Sequence, residues 1–127
     1  MDSINNDANT ALQEKGKEAA IRYLISQNYE ILEQDWKCGF GKIDIIAQED
    51  NGTIAFINVE TRKNIKKGMP EELDTAKDRS TAEKIAMCYM MCADVNNDTI
   101  LRFDKIAICI ADSKRAMLRH HKSWFCN

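Results

Sequence analysis

Two apolar runs joined by a strong turn signal, FGKIDIIAQEDNGTIAFINVETRK (Phe40–Lys63), restrict this chain more than any other feature. Asn51 and Gly52 tolerate positive φ, so EDNG at 49–52 reads as a hairpin turn between strands over Ile43–Ala47 and Thr53–Arg62. Ile43, Ile45, Ile57 and Val59 are expected to pack under helices. Yet both runs carry charge or polar groups where a core strand should not: Lys42 and Asp44 on the first, Asn58, Glu60 and Arg62 on the second. Strand side chains alternate between faces, so 42 and 44 share one face, as do 58, 60 and 62.

The flanking sequence supplies the layers for such a hairpin. Ala11–Gln27 places Leu12, Ala19, Ala20, Tyr23 and Leu24 on one helical stripe opposite a charged face. Tyr29–Lys37 reads as a strand, closed by Gly39 and Gly41. NIKKGMP at 64–70 is a basic loop whose Gly and Pro oppose a long element. A second helix is expected from Glu71 to Ala93, carried by Leu73, Ala76, Ile85, Ala86, Cys88, Tyr89 and Met90, with an interruption near Ser80 and Thr81. Strands over Ile100–Ile110 and Ala116–Phe125 complete the chain. The order α-β-β-β-α-β-β predicts an α/β domain, a mixed β-sheet flanked by helices.

At 127 residues the chain can bury one core without disulfides or metal. Its five cysteines, Cys38, Cys88, Cys92, Cys109 and Cys126, stand in helical or apolar contexts, so reduced thiols are expected rather than a disulfide framework. The polar start MDSINNDANT has no apolar segment behind it and no run is long enough for a span, which predicts a cytoplasmic protein without membrane contact. A formal net charge of −2 opposes coating nucleic acid through bulk charge and leaves room for a local basic patch.

Five segments, GKEAAIRYLISQNYEIL (16–32), GKIDIIAQ (41–48), FINVETR (56–62), LRFDKIAI (101–108) and LRHHKSWF (118–125), together resemble the YraN-type, endonuclease-like family of small bacterial proteins. The resemblance covers Gly16 to Phe125 in order. It implies a restriction-endonuclease-like fold, shared with Holliday-junction resolvases, residues 11–127 as a single endonuclease-like domain behind a disordered or helix-leading tail at 1–10, and a nucleic-acid phosphodiester as ligand. The active site of that class is written PD-(D/E)xK. Its carboxylates hold Mg²⁺, which supplies the nucleophilic water and stabilises the charge of the transition state.

The family's segments usually read GE before the helix, GEID, and VEVKxR. Asp44 and Arg62 match that pattern. Lys17 and Lys42 replace glutamates, Asn58 replaces the metal-binding glutamate, and Glu60 stands where the family has lysine. Over positions 17, 42, 44, 58 and 60 the pattern carries a charge of −3, whereas this chain has two acids and two bases. A divalent ion loses most of the field that would hold it.

Three readings follow. The favoured one is a catalytically inactive or impaired relative that retains nucleic-acid binding, with Lys42, Asp44, Glu60 and Arg62 in a mutually neutralising network. The second is an active metal-dependent nuclease with migrated catalytic residues Asp44, Glu60 and Lys42, the two carboxylates being the only candidate metal ligands. The third is a protein-interaction module docking a partner, or a second copy of the chain, through its charged edge and Met87, Met90 and Met91. No cofactor is expected, and Mg²⁺ or Mn²⁺ enters only in the second reading. Lys17 is expected at the mouth of the same site.

Arg62, Lys63, Lys66 and Lys67 form a basic cluster suited to phosphate contact, though a solvated loop explains it equally. Lys77, Arg79 and Lys84 extend it but are offset by Glu71, Glu72, Asp74, Asp78 and Glu83. Cys88 and Cys92, four apart on a helix, are expected in the core rather than on a metal. His120 and His121 fall on opposite strand faces, one packed and one exposed. Trp124 and Phe125 are expected to cover the core.

Overall fold

A computed structural model describes the backbone of residues 2–63, 76–112 and 115–123, with side chains from residue 10 and, in the second segment, from 79. Its elements run α1 (Asp2–Ser26), β1 (Glu30–Cys38), β2 (Gly41–Gln48), β3 (Ile54–Arg62), α2 (Ala76–Ala93), β4 (Leu101–Ile110) and β5 (Ala116–His121). The strands form one sheet in the order β1-β2-β3-β4-β5. Only β3 and β4 are parallel, and α2 lies on the connection between them, as a parallel pair requires. The expected α-β-β-β-α-β-β order and mixed sheet are therefore present.

Each face of the sheet has its own helix. Ala20 and Leu24 of α1 pack on Ile45, Ala47, Ala55, Ile57, Ile106 and Ile108. Ile85, Ala86 and Tyr89 of α2 pack on Ile43, Ile46, Ile54 and Phe56. Covering both faces is why the central strands read as near-continuous apolar runs. The hairpin closes as its sequence dictates: β2 and β3 are antiparallel, Thr53 N–H is held by Asn51 Oδ1 at 3.0 Å, and Gly52 takes φ of 95°.

Several boundaries differ from expectation. Helix α1 starts at Asp2 rather than Ala11. Helix α2 passes through Ser80 and Thr81 without interruption. Strand β5 ends at His121, and Trp124, Phe125 and Cys126 lie outside the described residues. So do Leu73 and the expected first turns of the second helix. Ile43, Ile45, Ile57 and Val59 all pack under helices as expected, but strand alternation breaks in β2, since Ile43 joins the α2 side and Ile45 the α1 side. The β2–β3 pairing reaches no further than Ile45–Ile57, and Asp44 Oδ2 accepts the Val59 N–H at 2.7 Å. Where the strands part, this carboxylate replaces a ladder bond, and the strict alternation is lost there.

Helix α1 approaches β3 closely enough to exclude a side chain at Gly16. A Cβ there would lie 1.7 Å from Thr61 Oγ1 and 2.8 Å from Thr61 Cβ. Gly16→Ala is expected to destabilise the protein by about 1–3 kcal/mol, the usual overpacking cost. Thr61→Ala should recover part of that loss, which a double-mutant cycle by urea denaturation would measure. Additive effects would show that the helix simply moves away.

Candidate functional site

The charged positions of the hairpin meet the first helix in a ladder of alternating charge. Lys17 Nζ of α1 bonds Asp35 Oδ1 of β1 at 2.8 Å and lies 3.4 Å from Glu14 Oε1. Lys42 Nζ stands between two carboxylates, 3.8 Å from Asp35 and 3.7 Å from Asp44. Lys17 thus reaches the neighbourhood of Asp44 through Asp35, a residue the sequence reading did not single out. Asp35 takes φ of 50°, a left-handed conformation that aspartate tolerates better than most residues. Its hydrogen bond from Lys17 holds the Asp35 carboxyl below its usual range, and against burial the same pair keeps Lys17 above its own.

Glu60 has different partners. Its Oε2 pairs with Lys105 Nζ of β4 at 2.7 Å, and Oε1 accepts from Arg62 Nη2 at 3.4 Å. The parallel register sets Lys105 opposite Asn58, which is exposed. Lys105 is almost wholly buried, its side chain 4% exposed. The network of Lys42, Asp44, Glu60 and Arg62 expected from sequence is therefore two networks: Lys42 serves Asp44 and Asp35, while Glu60 takes Arg62 and Lys105. Lys63 is exposed beyond the end of β3. Lys66 and Lys67 lie outside the described residues.

A divalent ion does not fit this set. Asp44 already accepts a backbone N–H and faces an ammonium, Glu60 faces two cations, and Asn58 contributes no charge. Among the described residues no group of three or more His, Cys, Asp or Glu side chains is placed to hold a metal. The cavity between Asn58, Lys105, Phe56 and Ile43 measures about 30 Å³, room for a water or two. Oxygen cages for Mg²⁺ need several oxygens plus retained waters.

On the α1 side of the sheet lies a second polar cluster that sequence reasoning missed. Asp104 of β4, with a fully buried side chain, accepts from Arg102 Nε at 2.8 Å, Arg102 Nη2 at 2.9 Å and Ser123 N–H at 3.1 Å. His120 Nε2 lies 2.8 Å from its Oδ2, and His120 Nδ1 lies 2.9 Å from the Tyr23 hydroxyl. Arg102 continues to Glu49 Oε2 at 2.6 Å and to the Tyr29 hydroxyl at 2.8 Å. Burial works to raise the Asp104 carboxyl, but the bonds from His120, Arg102 and Ser123 outweigh it and hold it below the usual carboxylate range. Burial pushes the Tyr29 hydroxyl up to about 12. The available signal was Asp104-Lys105 inside the apolar run Phe103–Ile110, the same anomaly that marks the hairpin. His120 is packed as expected for one of the pair, whereas His121 is half-buried rather than exposed.

One further expectation changes. Cys92 is exposed and Cys88 half-buried, so neither lies in the core. Met87 and Met91 are 65% and 81% exposed, and among the described residues no helix is long and apolar enough to cross a membrane.

The profile of the uncharacterised protein family UPF0102 matches residues 16–108, from the Gly16 contact through β4. A UPF0102 protein of Trichlorobacter lovleyi is 31% identical over 112 residues, 88% of this chain and 87% of the relative. One from Caldicellulosiruptor bescii is 41% identical over 75% of this chain and 79% of its own length, and one from Desulfitobacterium hafniense 40% identical over 77% and 80%. Matches of this identity and coverage, over a sheet whose order agrees with the endonuclease-like segments read from sequence, place the chain in a family of restriction-endonuclease-like fold: it belongs to UPF0102.

Proposed function

We propose that this chain is a non-hydrolytic member of a nuclease-like fold that binds nucleic-acid backbone at the edge carrying Lys42, Arg62 and Lys63. The observation that carries the reading is the occupation of both candidate metal ligands by cations: Lys42 lies 3.7 Å from Asp44, and Lys105 2.7 Å from Glu60. At the edge itself Lys17, Lys42, Arg62, Lys63 and Lys105 stand against Glu14, Asp35, Asp44 and Glu60, so a surplus of one positive charge stands there although the whole chain is negative. A polyanion suits such an edge better than a divalent cation does. Lys66 and Lys67 of the adjoining basic stretch belong to the same proposal.

Binding of a labelled duplex or single strand should fall steeply with salt, with a log–log slope of about −2 to −3 if two or three phosphates are neutralised. Arg62→Ala and Lys63→Ala should each flatten the slope by about 1 and weaken all sequences alike. No cleavage in Mg²⁺ is expected. Cleavage that disappears in Asp44→Asn or Glu60→Gln would replace this reading with a nuclease of migrated site, Lys42 supplying its positive charge. The exposure of Met87 and Met91 favours a second reading, a protein-docking face on α2. Nucleic-acid binding that is absent at low salt, together with salt-insensitive capture of a protein partner lost in Met91→Lys, would favour it.

A further inference from the structure

Away from the ion ladder, three cysteines gather where the β1–β2 turn meets α2. Cys38 ends β1 and packs against the cluster containing Ile85, Ala86 and Tyr89. Its ladder partner Gly41 lies against the helix, where a Cβ would come 3.3 Å from Ile85 Cδ1 and 3.7 Å from Thr81 Cγ2. Positions 81, 85, 88 and 92 follow one another at helical spacing, so Cys88 and Cys92 continue the stripe that meets this turn. Cys38, and beyond it Cys92, are the sulfurs whose proximity acts on the Cys88 thiol. Cys38 and Cys88 are half-buried, Cys92 is exposed, and all three are free thiols. Among the described residues no cysteine group has the arrangement of a metal site. Three adjacent thiols graded from exposed to half-buried suit stepwise oxidation, because susceptibility follows access while the second step needs a neighbouring thiol.

We propose that Cys92, Cys88 and Cys38 form a peroxide-responsive thiol relay whose product is a Cys38–Cys88 disulfide. The exposed Cys92 thiolate attacks a hydroperoxide, the O–O bond breaks, and sulfenic acid and water (or an alcohol) result. Cys88 sulfur then attacks the sulfenic sulfur, hydroxide leaves with the Cys88 proton as water, and a Cys88–Cys92 bond forms. Cys38 thiolate attacks Cys88 sulfur and expels Cys92 as thiolate, so one hydroperoxide is reduced for each pair of thiols oxidised. Burial, and then the neighbouring Cys38, push the Cys88 thiol up, which keeps it from being the first sulfur oxidised. The final bond ties the turn that carries Lys42 to α2, and it stands independently of the nucleic-acid reading.

The reduced chain is treated with hydrogen peroxide, quenched with an alkylating agent and peptide-mapped. A Cys38–Cys88 link is expected, with Cys92 recovered as a free thiol and a thermal midpoint that rises and returns on adding dithiothreitol. Cys92→Ser should give the same link about tenfold more slowly. Cys38→Ser should stop at Cys88–Cys92, with circular dichroism confirming that both variants fold. A map in which Cys92 proceeds to sulfinic acid while Cys38 and Cys88 remain thiols would overturn the relay. So would links made only through Cys109 or Cys126, or a rate unchanged by Cys92→Ser.

Discussion

Asp104→Asn is expected to destabilise the protein by about 3–5 kcal/mol, the loss typical of removing one partner from a buried charge network. Asp104 accepts from two nitrogens of Arg102 and from Ser123 N–H, and stands beside His120, with its own side chain fully buried. An amide in its place turns an NH₂ toward donors and leaves Arg102 with Glu49 as its carboxylate partner. The elements affected are far apart in sequence: β4 and β5 directly, α1 through Tyr23, and the hairpin turn through Glu49. Chemical denaturation gives the size of the loss. A cost within about 0.5 kcal/mol, the range of ordinary surface changes, would show that the cluster is incidental.

The same cluster fixes the direction of the pH dependence. Asp104 and Glu49 are both held below the usual carboxylate range: in each, burial opposes ionisation and the cationic and hydrogen-bonded partners prevail. A carboxyl depressed in the folded state binds fewer protons folded than unfolded near its ordinary pKa. Its stabilisation is therefore complete above the unfolded value, about 4, and is lost as pH falls through the folded value. Asp35, held down first by its bond with Lys17, acts in the same sense. Asp104→Asn should therefore flatten the acid limb of a stability–pH curve as well as lower its plateau. A steeper acid limb in the variant would contradict the assignment.

The hairpin was legible because its determinants are local: Asn51-Gly52 makes the turn, and Ile45 and Ile57 fall into register from it. The parting of β2 and β3 was not legible, since it depends on Asp44 bonding the Val59 N–H, a contact the alternation rule does not contain. Lys105 was hidden for another reason. Its meeting with Glu60 depends on the parallel register Asn58–Lys105, which α2 and the connection around it set and which no short window reveals. His120 and Asp104 meet through a neighbouring strand pair, again outside any local pattern. Lys17 is presented to β1 because the first helix is anchored by Gly16 against Thr61 one residue away. What the sequence reading missed there was Asp35, the acid between Lys17 and Lys42.

That missing register changes how the acidic site would have to be rebuilt. Lys17→Glu, Lys42→Glu, Asn58→Glu and Glu60→Lys restore the family's charges at the positions read from sequence. They also set a second ammonium beside Lys105, whose nearly buried side chain now pairs with Glu60. The four-change protein is therefore expected to lose stability and to gain little affinity for Mn²⁺. Adding Lys105→Leu removes that repulsion. The edge then carries carboxylates at 14, 17, 35, 42, 44 and 58 against Arg62, Lys63 and the lysine introduced at position 60, a formal −3 where the native edge is +1. A divalent ion close to several of these groups should bind about a hundredfold more tightly than to the native chain, because each added charge contributes on the order of 1 kcal/mol or more at such distances. Calorimetric titration with Mn²⁺ compares the native, four-change and five-change proteins. Binding follows from local charge while turnover also needs a positioned substrate, so the test holds whether or not the rebuilt protein cleaves anything. If the folded five-change protein bound Mn²⁺ no better than the native chain, the charge substitutions would not be what sets this edge against a metal, and the non-hydrolytic reading would lose its main support.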